Sequence, residues 1–154
     1  MPKICNVCLK NDFLCNACSK NLLSGKVSAL DVSLSRAIYR LGLETDFNRA
    51  MDAGDYMIVL ADKSNSGVLI GKGGRNSKRL GIMLEKNVRI IEDVNDEKKL
   101  IESIVSAPII GINKVYGKEE SYKVRMEKRF KDRVGGMSPV LSKAVGNEVR
   151  MIFE

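Results

Sequence analysis

Four cysteines stand near the start of the chain and nowhere else in it: Cys5-Asn6-Val7-Cys8, then Cys15-Asn16-Ala17-Cys18. Two residues between the members of a pair let a tight turn aim both sulfurs at one point. Two such turns supply four thiolates, a tetrahedral S4 donor set suited to Zn2+. A segment of about 25 residues buries too little apolar surface to fold by itself. Ligation of a metal is therefore expected to supply its folding free energy. An iron centre or a redox dithiol competes for the same sulfurs, but a thioredoxin-like pair needs a βαβ context that these residues lack. We expect Cys5, Cys8, Cys15 and Cys18 to hold one structural Zn2+, with residues 1–27 forming a small zinc module.

That module resembles a pair of zinc knuckles, with Leu9 and Ser19 where a glycine often follows the second cysteine. The rest of the composition excludes whole classes of function. There is no histidine in 154 residues, which removes Ser-His-Asp catalysis, Cys-His catalysis and every His-ligated metal site. With the cysteines committed to metal, an enzyme is not expected. No apolar run approaches the roughly 20 residues that cross a bilayer, so no membrane association is expected. The opening Met-Pro-Lys-Ile-Cys lacks a basic segment followed by an apolar one, so we expect no secretory signal and a cytoplasmic protein. A formal net charge of +7 points to a polyanionic partner.

Ser28 is placed to cap a helix running to about Leu41, with Leu30, Leu34, Ala37, Ile38 and Leu41 on one face. Strands are expected near Phe47–Met51 and Tyr56–Ala61. The polar stretch Asp62–Ser66 then leads into Gly67-Val68-Leu69-Ile70-Gly71-Lys72-Gly73-Gly74-Arg75-Asn76. A basic helix to about Lys86 and a strand Val88–Glu92 come next. The glycine loop is not a P-loop, because the spacing from Gly67 is short and Gly73 occupies the place of the Mg2+-binding hydroxyl. Nor is it a dinucleotide fingerprint, because Asn76 stands at the third glycine position. What the residues do offer is backbone free of Cβ obstruction, N–H groups at the start of a helix aimed at an anion, and positive charge on Lys72, Arg75, Lys78 and Arg79.

The order helix, Gly-x-x-Gly, basic helix, strand, carried by Ile70-Gly71-Lys72-Gly73-Gly74-Arg75-Asn76, resembles a KH domain. A helix and two strands ahead of it make the type II arrangement, α-β-β-α-α-β. The resemblance implies that the Gly71–Gly74 loop clamps the sugar-phosphate backbone of single-stranded RNA. It also implies that an aliphatic groove along Ile70, Leu80, Val88 and Ile90 takes the bases. Ser77 stands where the family places an apolar residue.

From Val94 the order repeats. Asn95 is placed to cap a helix over Asp96–Ser106, ended by Pro108. Strands are expected at Ile109–Tyr116 and Tyr122–Arg129, then Val134-Gly135-Gly136-Met137-Ser138, a helix over Pro139–Val145 and a strand Glu148–Phe153. This reads as a second, shortened type II KH unit whose loop has lost its last glycine to Ser138. The segment 123–133 is dense in lysine and arginine; a solvated face is the default reading of such a run, and its closeness to a second glycine loop makes RNA phosphate contact an equal alternative.

The expected architecture is thus α+β: zinc module 1–27, a first KH domain 28–94 with the Gly-x-x-Gly loop, and a second, degenerate KH-like domain 95–154. Tandem type II KH units of this kind resemble NusA-like transcription factors. The resemblance implies a single-stranded RNA-binding elongation or termination factor without a small-molecule substrate, acting with RNA polymerase. A ribosome-associated or RNA-processing KH factor uses the same loop. A zinc-dependent protein-interaction adaptor is the other alternative. The RNA-binding residues implied are Ile70, Gly71, Lys72, Gly73, Gly74, Arg75, Lys78 and Arg79.

Overall fold

The computed structural model describes residues 3–54 and 56–154. They form two units, the first over 1–93 and the second over 94–154. Each has one three-stranded sheet with helices, so the chain is α+β. Among the described residues, no helix is long and apolar enough to cross a membrane.

The first unit opens with two short helices, α1 (Asn6–Lys10) and α2 (Asn16–Leu23). They pack onto the next helix, α3 (Ala29–Arg40), rather than standing apart from it: Ile4, Cys8 and Cys18 are buried together with its Val32. The described residues up to 27 fall in the same compact unit as those of 28–93. Helix α3 starts where Ser28 and Asp31 form a capping box: Asp31 N–H donates to Ser28 Oγ at 3.1 Å and Ser28 N–H donates to Asp31 Oδ2 at 3.0 Å. This satisfies two of the helix's orphan donors. Asp31 also accepts from Ala50 N–H at 3.1 Å, which fastens α3 to strand β1 (Arg49–Asp52).

Strand β2 (Tyr56–Ala61) is central, antiparallel to β1 and parallel to β3 (Asn87–Glu92). Its unbroken apolar run fits a strand buried on both faces. Met57, Val59 and Ala61 join Leu34, Ala37, Ile38 and Phe47 in the core, and Ile58 and Leu60 are equally buried. The parallel pairing needs a crossover, supplied by α4 (Lys63–Ile70), a tight loop and α5 (Arg75–Leu84). The polar stretch 62–66 is thus mostly helix. It looks like loop in sequence because only Ser66 and Leu69 of α4 are buried. Helix α5 stops two residues before Lys86, with Glu85 in the left-handed region (φ +55°).

The second unit repeats the order. Helix α6 (Glu97–Val105) is capped by Asp96, which accepts from Lys98 and Lys99 N–H, rather than by Asn95. Strands β4 (Gly111–Val115) and β5 (Ser121–Met126) are antiparallel, and β5 is parallel to β6 (Glu148–Phe153). Strand β5 does not reach Arg129. Its buried alternation Tyr122, Val124, Met126 ends there, and residues 128–130 turn into α7 (Lys131–Val134). Helix α8 (Ser138–Val145) leads into β6. The order α-β-β-α-α-β, with one antiparallel and one parallel pairing, therefore occurs twice in the chain.

Candidate functional site

The cysteine repeat becomes a repeat of geometry. Cys5 and Cys15 are the N-caps of α1 and α2, and Cys8 and Cys18 lie within those helices. Each N-cap backbone N–H donates to a sulfur of the other pair: Cys15 N–H to Cys8 Sγ at 3.1 Å and Cys5 N–H to Cys18 Sγ at 3.4 Å. All four sulfurs lie within 4.8 Å of one another. Cys5 Sγ is 3.4 Å from Cys8 Sγ and 3.9 Å from Cys15 Sγ. A tetrahedral zinc with bonds of about 2.3 Å separates its sulfurs by about 3.8 Å, so the cluster is positioned to hold a metal ion.

The four thiols are inequivalent. The Cys18 N–H draws Cys15 down to about 7, and the Cys8 N–H lowers Cys5. For Cys8 the Cys15 N–H pulls down, but burial and the three neighbouring thiols outweigh it and push Cys8 up to about 12. Cys18, pulled down by the Cys5 N–H, is raised by burial and by Cys15. The lowered pair sits outermost at two helix N-termini, where a thiolate is favoured. Arg36 of α3 binds this region from behind: its Nε donates to Cys8 O at 3.1 Å and an Nη to Phe13 O at 3.2 Å.

The glycine loop lies at the other end of the same unit's sequence. Gly71, Gly73 and Gly74 all have positive φ, at +71°, +65° and +78°, which L side chains adopt at a cost. A Cβ on Gly73 would meet nothing, whereas one on Gly71 would stand 2.7 Å from the Asn76 side chain. Asn76 Nδ2 in turn donates to Val68 O at 2.7 Å. Asn76 thus ties α5 to α4 across the loop, a role the sequence motif does not announce. Ser77 hydroxyl donates to Gly74 O at 3.0 Å, so its polarity is used within the loop.

Lys72, Gly73, Arg75, Lys78 and Arg79 are exposed or half-buried, and Ile70 is exposed. None of the four cations has an ion pair among the described residues. An open cleft of about 850 Å3 is lined by Gly54, Ser77, Lys78, Ile82, Glu85, Lys86 and Val88 among others, so that of the four cations Lys78 alone lines it. The expected groove needs correction here. Leu80 is fully buried, so it is not free to receive a ligand, whereas Val88 and Ile90 are both half-buried. The apolar surface of the cleft comes from Ile82, which is 80% exposed, and from Val88. Only the helix's contact with β3, set by tertiary packing, reveals which residues line it.

No family model matches this chain, and no curated protein matches it. Solved structures do. The crystal structure of APE1850 superposes with a TM-score of 0.60, covering 79% of this chain and 95% of that one, at 22% identity. At that identity the likeness is one of fold. The chain is, on these grounds, an α+β protein of two like units with a four-thiol cluster positioned for a metal ion.

Proposed function

We propose that the chain is a cytoplasmic single-stranded RNA-binding protein built of two type II KH units, similar to NusA-like transcription elongation or termination factors, with one structural Zn2+ on Cys5, Cys8, Cys15 and Cys18. Its chemistry is capture rather than catalysis. Gly71, Lys72, Gly73 and Gly74 lie along the phosphodiester backbone, and Arg75, Lys78 and Arg79 neutralise phosphates. Ile70, Ile82 and Val88 receive unstacked bases. RNA polymerase or a ribosomal particle is the expected larger partner.

The observation that carries this reading is a loop whose glycines hold positive φ, with open space around Gly73, flanked by four cations with no ion pair among the described residues. The repeated α-β-β-α-α-β order supports the KH assignment, since a Gly-x-x-Gly loop that clamps about four nucleotides belongs to that arrangement. For the metal, four soft sulfur donors in near-tetrahedral spacing favour zinc over harder cations.

The test is the double substitution Lys72→Asp, Gly73→Asp. Nothing stands within 4 Å of a Cβ at Gly73, and aspartate is among the residues that tolerate the left-handed region best. The variant should keep its circular dichroism spectrum and lose affinity for a uridine-rich oligoribonucleotide. Affinity equal to that of the unmodified protein places the RNA site elsewhere.

A further inference from the structure

The two units share a topology but not an electrostatic surface. The second unit has a cleft in the position equivalent to the first, bounded by the β4–β5 turn, the end of α8 and the start of β6. It is lined by Glu119, Glu120 and Glu148 against one lysine, Lys143; Lys114 pairs with Glu120 and Arg150 with Glu148, each at 3.2 Å, so the cleft offers a polyanion little free positive charge. The loop ahead of α8 has changed as well. Gly135 is helical at φ −58°, and neither it nor Gly136 has positive φ. Aligned on the strands that come after, buried Leu80 matches buried Leu141. Lys78 and Arg79 then correspond to Pro139 and Val140, and Val140 is buried. Proline also lacks the N–H that a helix N-terminus offers an anion.

The positive charge of this unit is collected elsewhere, on the turn and helix that precede the loop. Lys128, Arg129, Lys131 and Arg133 are all exposed there, against Glu127 and Asp132. The two guanidinium carbons sit 4.7 and 5.3 Å from the centroid of half-buried Phe130. Arg129 Nε is further held by Glu127 at 2.6 Å and an Arg133 Nη donates to Ser106 O at 2.8 Å. Each guanidinium has five donors, so most remain free while each cation stands against the ring. Lys128 and Lys131 have no ion pair among the described residues.

We propose that the second unit binds single-stranded RNA through Lys128, Arg129, Lys131 and Arg133, braced on Phe130, and not through its cleft. This rests on the reading of the chain as an RNA-binding protein. Phosphates meet the lysines and the free guanidinium donors, and an unstacked base lies against a guanidinium plane. The cleft, short of free positive charge, takes no part.

Two uridine oligomers separate binding at this patch from binding at the Gly71–Gly74 loop. A probe of about five nucleotides fits a single Gly-x-x-Gly loop; one of about 25 reaches both units. The substitution pair Lys128→Glu, Lys131→Glu breaks no ion pair. It should weaken the long probe at least tenfold, lower its salt slope by about 1.4, and leave the short probe unchanged. Photocrosslinking of the unmodified protein to the long probe should place adducts on 128–133. Unchanged long-probe affinity in the variant, adducts on 142–148 instead, or an unmodified protein that binds neither probe overturns the inference. Loss of the long probe in this variant, with both probes unaffected by Lys72→Asp, Gly73→Asp, overturns the loop reading and leaves this one standing.

Discussion

Salt dependence offers a quantitative test of the proposal that the first loop holds RNA. No carboxylate among the described residues forms an ion pair with Lys72, Arg75, Lys78 or Arg79, so each is available to displace a counterion. For single-stranded nucleic acid the slope of log K against log salt is about −0.7 per neutralised phosphate, so four contacts give about −2.8. Raising salt fourfold should then weaken binding of a five-nucleotide probe by about 50-fold. Replacing Arg75 and Lys78 by alanine removes two contacts, so the slope should fall to about −1.4 and the same salt step should cost about sevenfold. Neither residue is in the core, and both oppose the helix dipole, so the variant should stay folded with an unfolding midpoint equal to or above the parental one. Fluorescence anisotropy with a labelled oligonucleotide at a series of salt concentrations gives both slopes. A variant with the parental slope would mean that these side chains do not meet phosphate, and the account of the loop would fail.

Metal analysis of the purified protein should find one zinc per chain. Stripping it with a chelator should lower the unfolding midpoint of the first unit by at least about 10 °C, because Ile4, Cys8 and Cys18 share a buried cluster with Val32 of α3; an unmoved midpoint refutes that coupling. In the second unit, Arg125 holds the Glu154 carboxylate through bonds of 2.8 and 3.2 Å, which keeps Glu154 below the ordinary glutamate range. Its contribution to stability is present above that range and is lost as pH falls through the lowered value. A carbon-13 carboxyl titration should show the depressed value, and Arg125→Ala should return it to normal.

How much of this was legible beforehand depends on which interactions are local. The capping box at Ser28, the apolar run at Tyr56–Ala61 and the strand Glu148–Phe153 are written in consecutive residues, and all three stand where their residues place them. The cysteine cluster is equally local, since each pair closes its own turn. Helix α4 was expected from the order helix, Gly-x-x-Gly, basic helix, and not from its own residues, because it buries only Ser66 and Leu69, too few for a periodic signal. The turn at 128–134 was hidden because Glu127 still fits the exposed side of the alternation, and Lys128, exposed where a buried residue is due, is the first to break it. The lining of the cleft was the least legible. Leu80 and Ile82 sit two residues apart, about 200° around one helix, and one is fully buried while the other is 80% exposed. Periodicity separates the two faces; which residues of other elements complete the cleft is set by tertiary packing, which no short window contains.

The charges around α5 also bear on why the loop is built as it is. Two other helices of the chain obey the helix dipole: Asp31 stands in the first turn of α3 and Asp96 and Glu97 open α6. Helix α5 does the reverse, with Arg75 in its first turn, Lys78 just beyond, Lys72 before it and no acid in that turn. Cations there work against the helix by about 0.3–1 kcal/mol each at an exposed site. Folding alone gains nothing from that choice, nor from three positive-φ backbones at Gly71, Gly73 and Gly74, since glycine costs conformational entropy on folding. Both features become favourable together when a phosphate occupies the loop. The anion then complements the helix N-terminus and the four cations at once, and the glycines let it approach. On the proposed reading, a local rule broken in this concerted way fits a site shaped for a phosphate.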